Sequence, residues 1–230
     1  MTTQGLQNDD RTVPMGRIQK VIGQRMSWSK QHIPCFYLER RADISELLDM
    51  RRGAGREMAV KITTNDFLIK ATGLAVEKFP LMAGKLDGQE IVIAETASVG
   101  FAVAAPQGLV VPVIRDVHTK SLADIAAESA ELTKKARSNQ LRPDDVTGAC
   151  ITISNLGVYG IDSFIAVTTP GQASVLAVGN IAKTPAVSGE IRRKIDLTLS
   201  VDHTLVNGDY AARFLSFVAE LLEQPHRLIG

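Results

Sequence analysis

The 230-residue chain is 45% hydrophobic and carries 26 basic against 25 acidic residues, a formal net charge of +1. That length can bury a substantial core within one domain, while the near-neutral balance excludes a global field that would draw in nucleic acid or an anionic membrane. Base-stacking aromatics are scarce at 5% of the chain, and no apolar run approaches the roughly 20 residues that cross a bilayer. The reading is therefore a soluble cytoplasmic protein with neither a nucleic-acid nor a membrane partner, in which any anionic ligand is held locally. The two cysteines, Cys35 and Cys150, form no CxxC pair and read as buried small apolar residues.

Residues 1–11 are polar and read as a flexible tail, leaving 12–230 as one domain. From Met15 to His32 the apolar residues Ile18, Val21, Ile22 and Met26 recur at helical spacing, with Arg17, Lys20, Arg25 and Lys30 between them. Pro34 ends this basic amphipathic helix. CFYLERRADI is extended in character, and Ser45 then opens a short helix closed by Gly53. A second long helix is expected from Thr64 to Lys78, burying Phe67, Leu68, Ala71, Leu74 and Ala75, with Pro80 behind it. Both long helices are expected to lie against one sheet.

Strand signals follow in EIVIAE, then in VGFAVAAP and LVVPVIRD, a valine-rich hairpin-like pair joined by Gln107 and Gly108. Pro112 inside the second of these implies an irregular or edge strand. Ser121 with Asp124 starts a helix reaching Asn139, since a Ser-x-x-acid sequence caps free N–H groups. ACITISNL, ASVLAVGNI and RKIDLTLSVDH are three more strands, followed by a helix from Gly208 to Glu223. Helices and strands without strict βαβ alternation indicate an α+β fold, a two-layer sandwich with a mixed or mostly antiparallel sheet.

The four histidines are the candidates for a general base. His32 sits at a charged helix end, His118 in the polar loop DVHTK and His226 after Pro225, and all three read as surface residues. His203 closes the alternating strand IDLTLSVDH and shares a face with Ile195, Leu197, Leu199 and Val201, so its ring is expected in the packed interior or at an interface. A satisfied core histidine fits the same pattern. Ser154, in TISNLG, fits a serine bonding its own turn. No GxxxxGKS/T loop, no GxGxxG opening a helix and no histidine-carboxylate cluster with metal spacing is present, so no metal is indicated.

SVDHTLVNGDYAARFL resembles the HxxxDG signature of the dihydrolipoamide acyltransferases, the catalytic domains of 2-oxo acid dehydrogenase complexes, and of chloramphenicol acetyltransferase. His203 matches the histidine, Asn207 the aspartate and Gly208 the glycine. RIQKVIGQRMSWSKQHIPCFYL, TTNDFLIKA, VGFAVAAPQGLVVPVIRD, TISNLGVYGIDSFIAVTTPGQASVLAVGNI and LLEQPHRLIG resemble further family segments in the same order, so the likeness covers residues 12 to 230.

The resemblance implies a chloramphenicol acetyltransferase-like fold and a homotrimer able to assemble into a larger shell. Its active site would be a channel at each subunit interface, entered by coenzyme A from one end and a lipoyl group from the other. On that reading His203 takes the proton from the attacking thiol, Ser154 donates to the tetrahedral oxyanion, Ser154 and Asn155 contact the ligands, and Asn207 holds the local geometry. The implied partners are a lipoyl domain carried elsewhere, a 2-oxo acid decarboxylase and dihydrolipoamide dehydrogenase, with acetyl as the transferred group. Leu228 and Ile229 are expected to be exposed unless they dock between trimers. Asn207, and Thr204 where the family carries arginine, depart from the pattern. A catalytically weak scaffold of such a complex and a free-standing acetyl-CoA-dependent acetyltransferase are the alternatives. Arg25, Lys30, Arg40 and Arg41 are candidates for the phosphates by charge alone.

Overall fold

The computed structural model describes residues 12–57 and 60–229, so the expected tail at 1–11 lies outside the described residues. Arg17–His32 forms α1, Cys35–Asp43 β1, Ser45–Glu57 α2 and Thr64–Lys78 α3. After a tight turn at Pro80–Ala83 come β2 (Gly84–Asp87), β3 (Glu90–Ile93), β4 (Val99–Phe101), β5 (Val103–Ala105), β6 (Gly108–Val110) and β7 (Val113–Ile114). Then follow α4 (Leu122–Arg137), β8 (Ile151–Asn155), β9 (Ser174–Pro185), β10 (Ile191–Asp202) and α5 (Gly208–Glu223).

Six strands form the main sheet in the order β1-β10-β9-β8-β4-β7. β8 runs parallel to both β4 and β9, and the other pairings are antiparallel, so the sheet is mixed as expected. β2–β3 and β5–β6 are separate two-stranded hairpins, and β2 carries too few apolar residues to have been visible as a strand. Pro112 falls in the break between β6 and β7, and β7 is an edge, which suits a residue with no N–H to give to a ladder.

One face of the sheet carries the core. Ile195, Leu197, Leu199 and Val201 alternate along β10 and are buried with Phe67 of α3 and Phe214 of α5. Each such side chain stabilises the fold by about 1.5–3 kcal/mol relative to exposure. The opposite face is more polar and is covered by the segment after β8: Ser200 Oγ donates to Ala166 O at 2.7 Å, and Thr152 Oγ1 to Gln172 Oε1 at 2.8 Å.

The helix starts follow local chemistry. Ser121 Oγ accepts from Asp124 N at 3.1 Å, as its position before Asp124 predicts. At α3, Asp66 Oδ2 accepts from both Thr63 N and Thr63 Oγ1 at 2.7 Å. The expectation that α1 lies against the sheet is corrected. Only Ser29 of α1 is buried, Ile22 and Met26 are partly buried, and Ile18, Val21 and Trp28 are about half exposed, so its apolar stripe is only partly covered within the described residues.

Candidate active site

β8 delivers Ser154 and Asn155 to the wall of a cavity of about 1030 Å³. The strand ends there because the chain turns sharply at SNLG: Asn155 Oδ1 accepts the Gly157 N–H at 2.9 Å. A Cβ on Gly157 would overlap the carbonyl of Gly179 on β9, so the turn seats on its neighbouring strand only with glycine there. From α3, Asn65 joins this wall, its Oδ1 accepting from Asn155 Nδ2 at 2.7 Å.

The cavity is cationic. Arg51, Lys61, Lys134 and Arg137 line it, and Asp66 is its acidic residue. Asp66 is spent internally on Thr63 and on Ser129, whose Oγ donates to Asp66 Oδ1 at 2.5 Å. Among the described residues none of the four cations forms an ion pair; Arg51 donates to Thr64 Oγ1 at 3.0 Å. Arg25, Lys30, Arg40 and Arg41, the candidates by charge, are not in this wall. Arg41 is held by Asp196 at 2.5 Å, which raises its proton affinity, and Arg40 bonds Ser216 and Glu223. Lys134 and Arg137 sit three residues apart at the end of α4, a one-face spacing that sequence can reveal.

His203 lies elsewhere. β10 ends at Asp202, whose Oδ1 accepts from Thr204 N at 2.9 Å and Thr204 Oγ1 at 2.7 Å, turning the chain. Thr204 therefore holds this turn. His203 N donates to Pro34 O at 3.0 Å, and its ring packs on Phe36 with centroids 4.6 Å apart. The ring has the face that strand alternation predicts but stands beyond the core's edge. It is exposed, not in the packed interior of its own chain.

Ser154 and His203 do not meet in one chain. Ser154 pairs with Ala177 on β9 and Ala177 with Thr198 on β10, and His203 lies five residues beyond Thr198 (203 minus 198). Two strand spacings and five residues of rise put them on the order of 15–20 Å apart. Asn207 caps α5 just after the turn, its Oδ1 accepting from Tyr210 N at 3.0 Å.

Two smaller expectations change. Cys35 is only half-buried, its Sγ 3.0 Å from Thr168 Oγ1, whereas Cys150 is buried and desolvation pushes its thiol up to about 11. Leu228 is fully buried in its own chain's core, because the Pro225–Leu228 turn folds back onto α3 and α5; Ile229 stays exposed.

Residues 7–230 match the model of the 2-oxoacid dehydrogenases acyltransferase (catalytic domain) family. The chain belongs to this family. The acetyltransferase component of the pyruvate dehydrogenase complex from Rickettsia bellii is 36% identical over 94% of the chain and 53% of its own length. The corresponding component from Zymomonas mobilis is 35% identical over 93% of the chain and 50% of its length. The chain thus spans about half the length of these curated relatives.

Among solved structures, the dihydrolipoamide acetyltransferase of Azotobacter vinelandii superposes with a TM-score of 0.90 at 33% identity, covering 96% of this chain and 95% of that one. That protein was studied for the catalytic roles of a serine, a histidine and an asparagine, the last two four positions apart. The cubic core of a pyruvate dehydrogenase multienzyme complex gives 0.90 at 34% identity, with 97% and 96% covered. Chloramphenicol acetyltransferase, at 13% identity and a TM-score of 0.55, shares the fold. Among the described residues no helix is long and apolar enough to cross a membrane.

Proposed function

We propose that this acyltransferase-family chain moves an acetyl group between dihydrolipoamide and coenzyme A, in sites built between copies of itself. The observation that carries the reading is the separation of Ser154, in a cationic cavity, from His203, exposed at the far end of β10. A base and an oxyanion donor about 15–20 Å apart cannot serve one carbonyl, for which each must lie within about 3 Å of its atom. Two copies can bring them together. The exposed apolar stripe of α1 is surface available for that association, and relatives with this catalytic domain assemble into a cubic core.

His203 accepts the thiol proton, and the thiolate sulfur adds to the thioester carbonyl. The Ser154 hydroxyl donates to the oxyanion. Collapse of the tetrahedral species breaks the original carbon–sulfur bond, and the leaving thiolate takes the proton back from the imidazolium. Asn155 shapes the turn beneath Ser154, while Arg51, Lys61, Lys134 and Arg137 suit the phosphates of coenzyme A at the cavity wall. Asn207 starts α5 and so fixes the chain leaving His203, and the Azotobacter protein's asparagine at the same spacing supports this carry-over. Residues 12–230 then act as the transferase unit, receiving lipoyl groups from a separate lipoyl domain within a complex that also holds a 2-oxo acid decarboxylase and dihydrolipoamide dehydrogenase. Turnover of acetyl-CoA with dihydrolipoamide, compared with small alcohol and amine acceptors, tests this reading. Transfer to dihydrolipoamide alone is expected, and transfer to none of them would leave a scaffold.

A further inference from the structure

The cavity wall contains an amide whose orientation the backbone decides. A side-chain amide can be built either way round, so its direction must be read from partners of fixed polarity. Gly157 N–H can only donate, and it donates to Asn155 Oδ1 at 2.9 Å. The NH2 of Asn155 therefore faces away from the turn, towards Asn65 at 2.7 Å. Two NH2 groups facing each other would leave both without an acceptor, so Asn65 presents its oxygen to Asn155.

That leaves the Asn65 Nδ2, with two N–H donors, to find another partner. No acceptor among the described residues takes it, although Asn65 is half-buried and lines the same cavity as Ser154. The neighbouring carboxylate does not serve: Asp66 accepts from Thr63 N, Thr63 Oγ1 and Ser129 Oγ instead. The same bonds hold the first turn of α3, so the amide is carried on a rigid element.

We propose that Asn65 is a substrate-binding residue whose free NH2 donates to an uncharged carbonyl oxygen, that of an amide on the arm that carries the reacting sulfur. The inference rests on the acyl transfer proposed above. A neutral amide pair suits an amide carbonyl, which accepts without charge, while phosphates are served by the cations of the same cavity. Two arms bear this group: the pantetheine arm of coenzyme A and the lipoyl amide.

Asn65→Asp separates binding from structure. It keeps an oxygen facing Asn155 and removes the donors, and an acid in the first turn of a helix does not weaken it. Uncharged substrates keep the new carboxylate from acting through the phosphates, so the donor is S-acetyl-dihydrolipoamide and the acceptor pantetheine. The expected result is a KM raised about threefold to thirtyfold for one of the two substrates, with kcat little changed. Replacing that substrate by an analogue lacking the amide carbonyl, lipoyl alcohol in place of lipoamide or a plain alkanethiol in place of pantetheine, should erase the difference between variant and wild type. The side on which it vanishes identifies the source of the carbonyl. An unchanged KM, or a difference that persists with both amide-free analogues, overturns the proposal. If the wild type turns out not to transfer acetyl at all, the same comparison is made on dissociation constants of pantetheine and dihydrolipoamide by calorimetry. A wild type that binds neither, or a variant that binds both equally well, also overturns it.

Discussion

Asn207 Oδ1 accepts the backbone N–H of Tyr210 at 3.0 Å, so the residue four positions after His203 is the cap of the final helix. An aspartate there would accept the same bond and add a negative charge at a helix start, worth about 0.3–1 kcal/mol. Asn207→Asp is therefore expected to raise thermal stability slightly and to change turnover by less than about tenfold. Asn207→Ala should cost about 1 kcal/mol in denaturant unfolding. A gain of more than about a hundredfold in turnover on restoring the acid, some 2.7 kcal/mol of barrier, would show that charge and not geometry governs the position.

Removing the hydroxyl of Ser154 should lower kcat by about 10² to 10³, because a preorganised donor acts on charge that develops only in the transition state. KM for the acyl donor should hardly move. A change confined to KM would assign Ser154 to ligand positioning.

At the C-terminus the two apolar side chains should behave oppositely. Leu228 is fully buried among core residues, so Leu228→Ala is expected to cost about 2–4 kcal/mol in denaturant unfolding. Ile229 is 36% exposed, and Ile229→Ala should leave the stability of the chain within about 0.5 kcal/mol. Equal effects of the two substitutions would contradict this division.

Burial holds the Cys150 thiol protonated up to about 11, against an ordinary value of 9.0. Well below pH 9.0 the thiol is neutral in folded and unfolded chains alike, and its contribution is fully present. As pH rises from there towards 11 the unfolded thiol ionises first and the folded state loses up to about 2–3 kcal/mol. Cys150→Ala should lose less stability than wild type between about pH 8.5 and 10.5, measured by urea unfolding across that window. Parallel curves for the two proteins would remove the thiol from the alkaline response.

Local chemistry was legible where one residue decides the outcome. Ser121 capping α4, Pro112 breaking the ladder before an edge strand, and the span of α5 all follow from side chains within a few positions. Alternation along β10 also put the His203 ring on the face of Val201 and Phe36. It could not say that the core ends before His203, because that end is made by Asp202 bonding Thr204, a turn that strand periodicity does not encode. The α1 stripe was visible as a pattern, but what covers a stripe depends on surfaces far away in sequence or in another copy. Arg51, Lys61, Lys134 and Arg137 converge on the cavity from separate elements, and the link from Asn65 to Asn155 spans ninety positions (155 minus 65), so only the folded chain brings them together.

The central claim is that His203 and Ser154 act on one carbonyl from different copies. Its most direct test co-assembles two inactive variants, His203→Ala and Ser154→Ala, in equal amounts. Each alone should be impaired by at least about 10² in turnover. With random mixing in a closed ring, a site needs an intact histidine from one copy and an intact serine from its neighbour, so about a quarter of wild-type activity should return. Mixed assemblies no more active than the separate variants would mean that each chain uses its own pair, which would contradict the account.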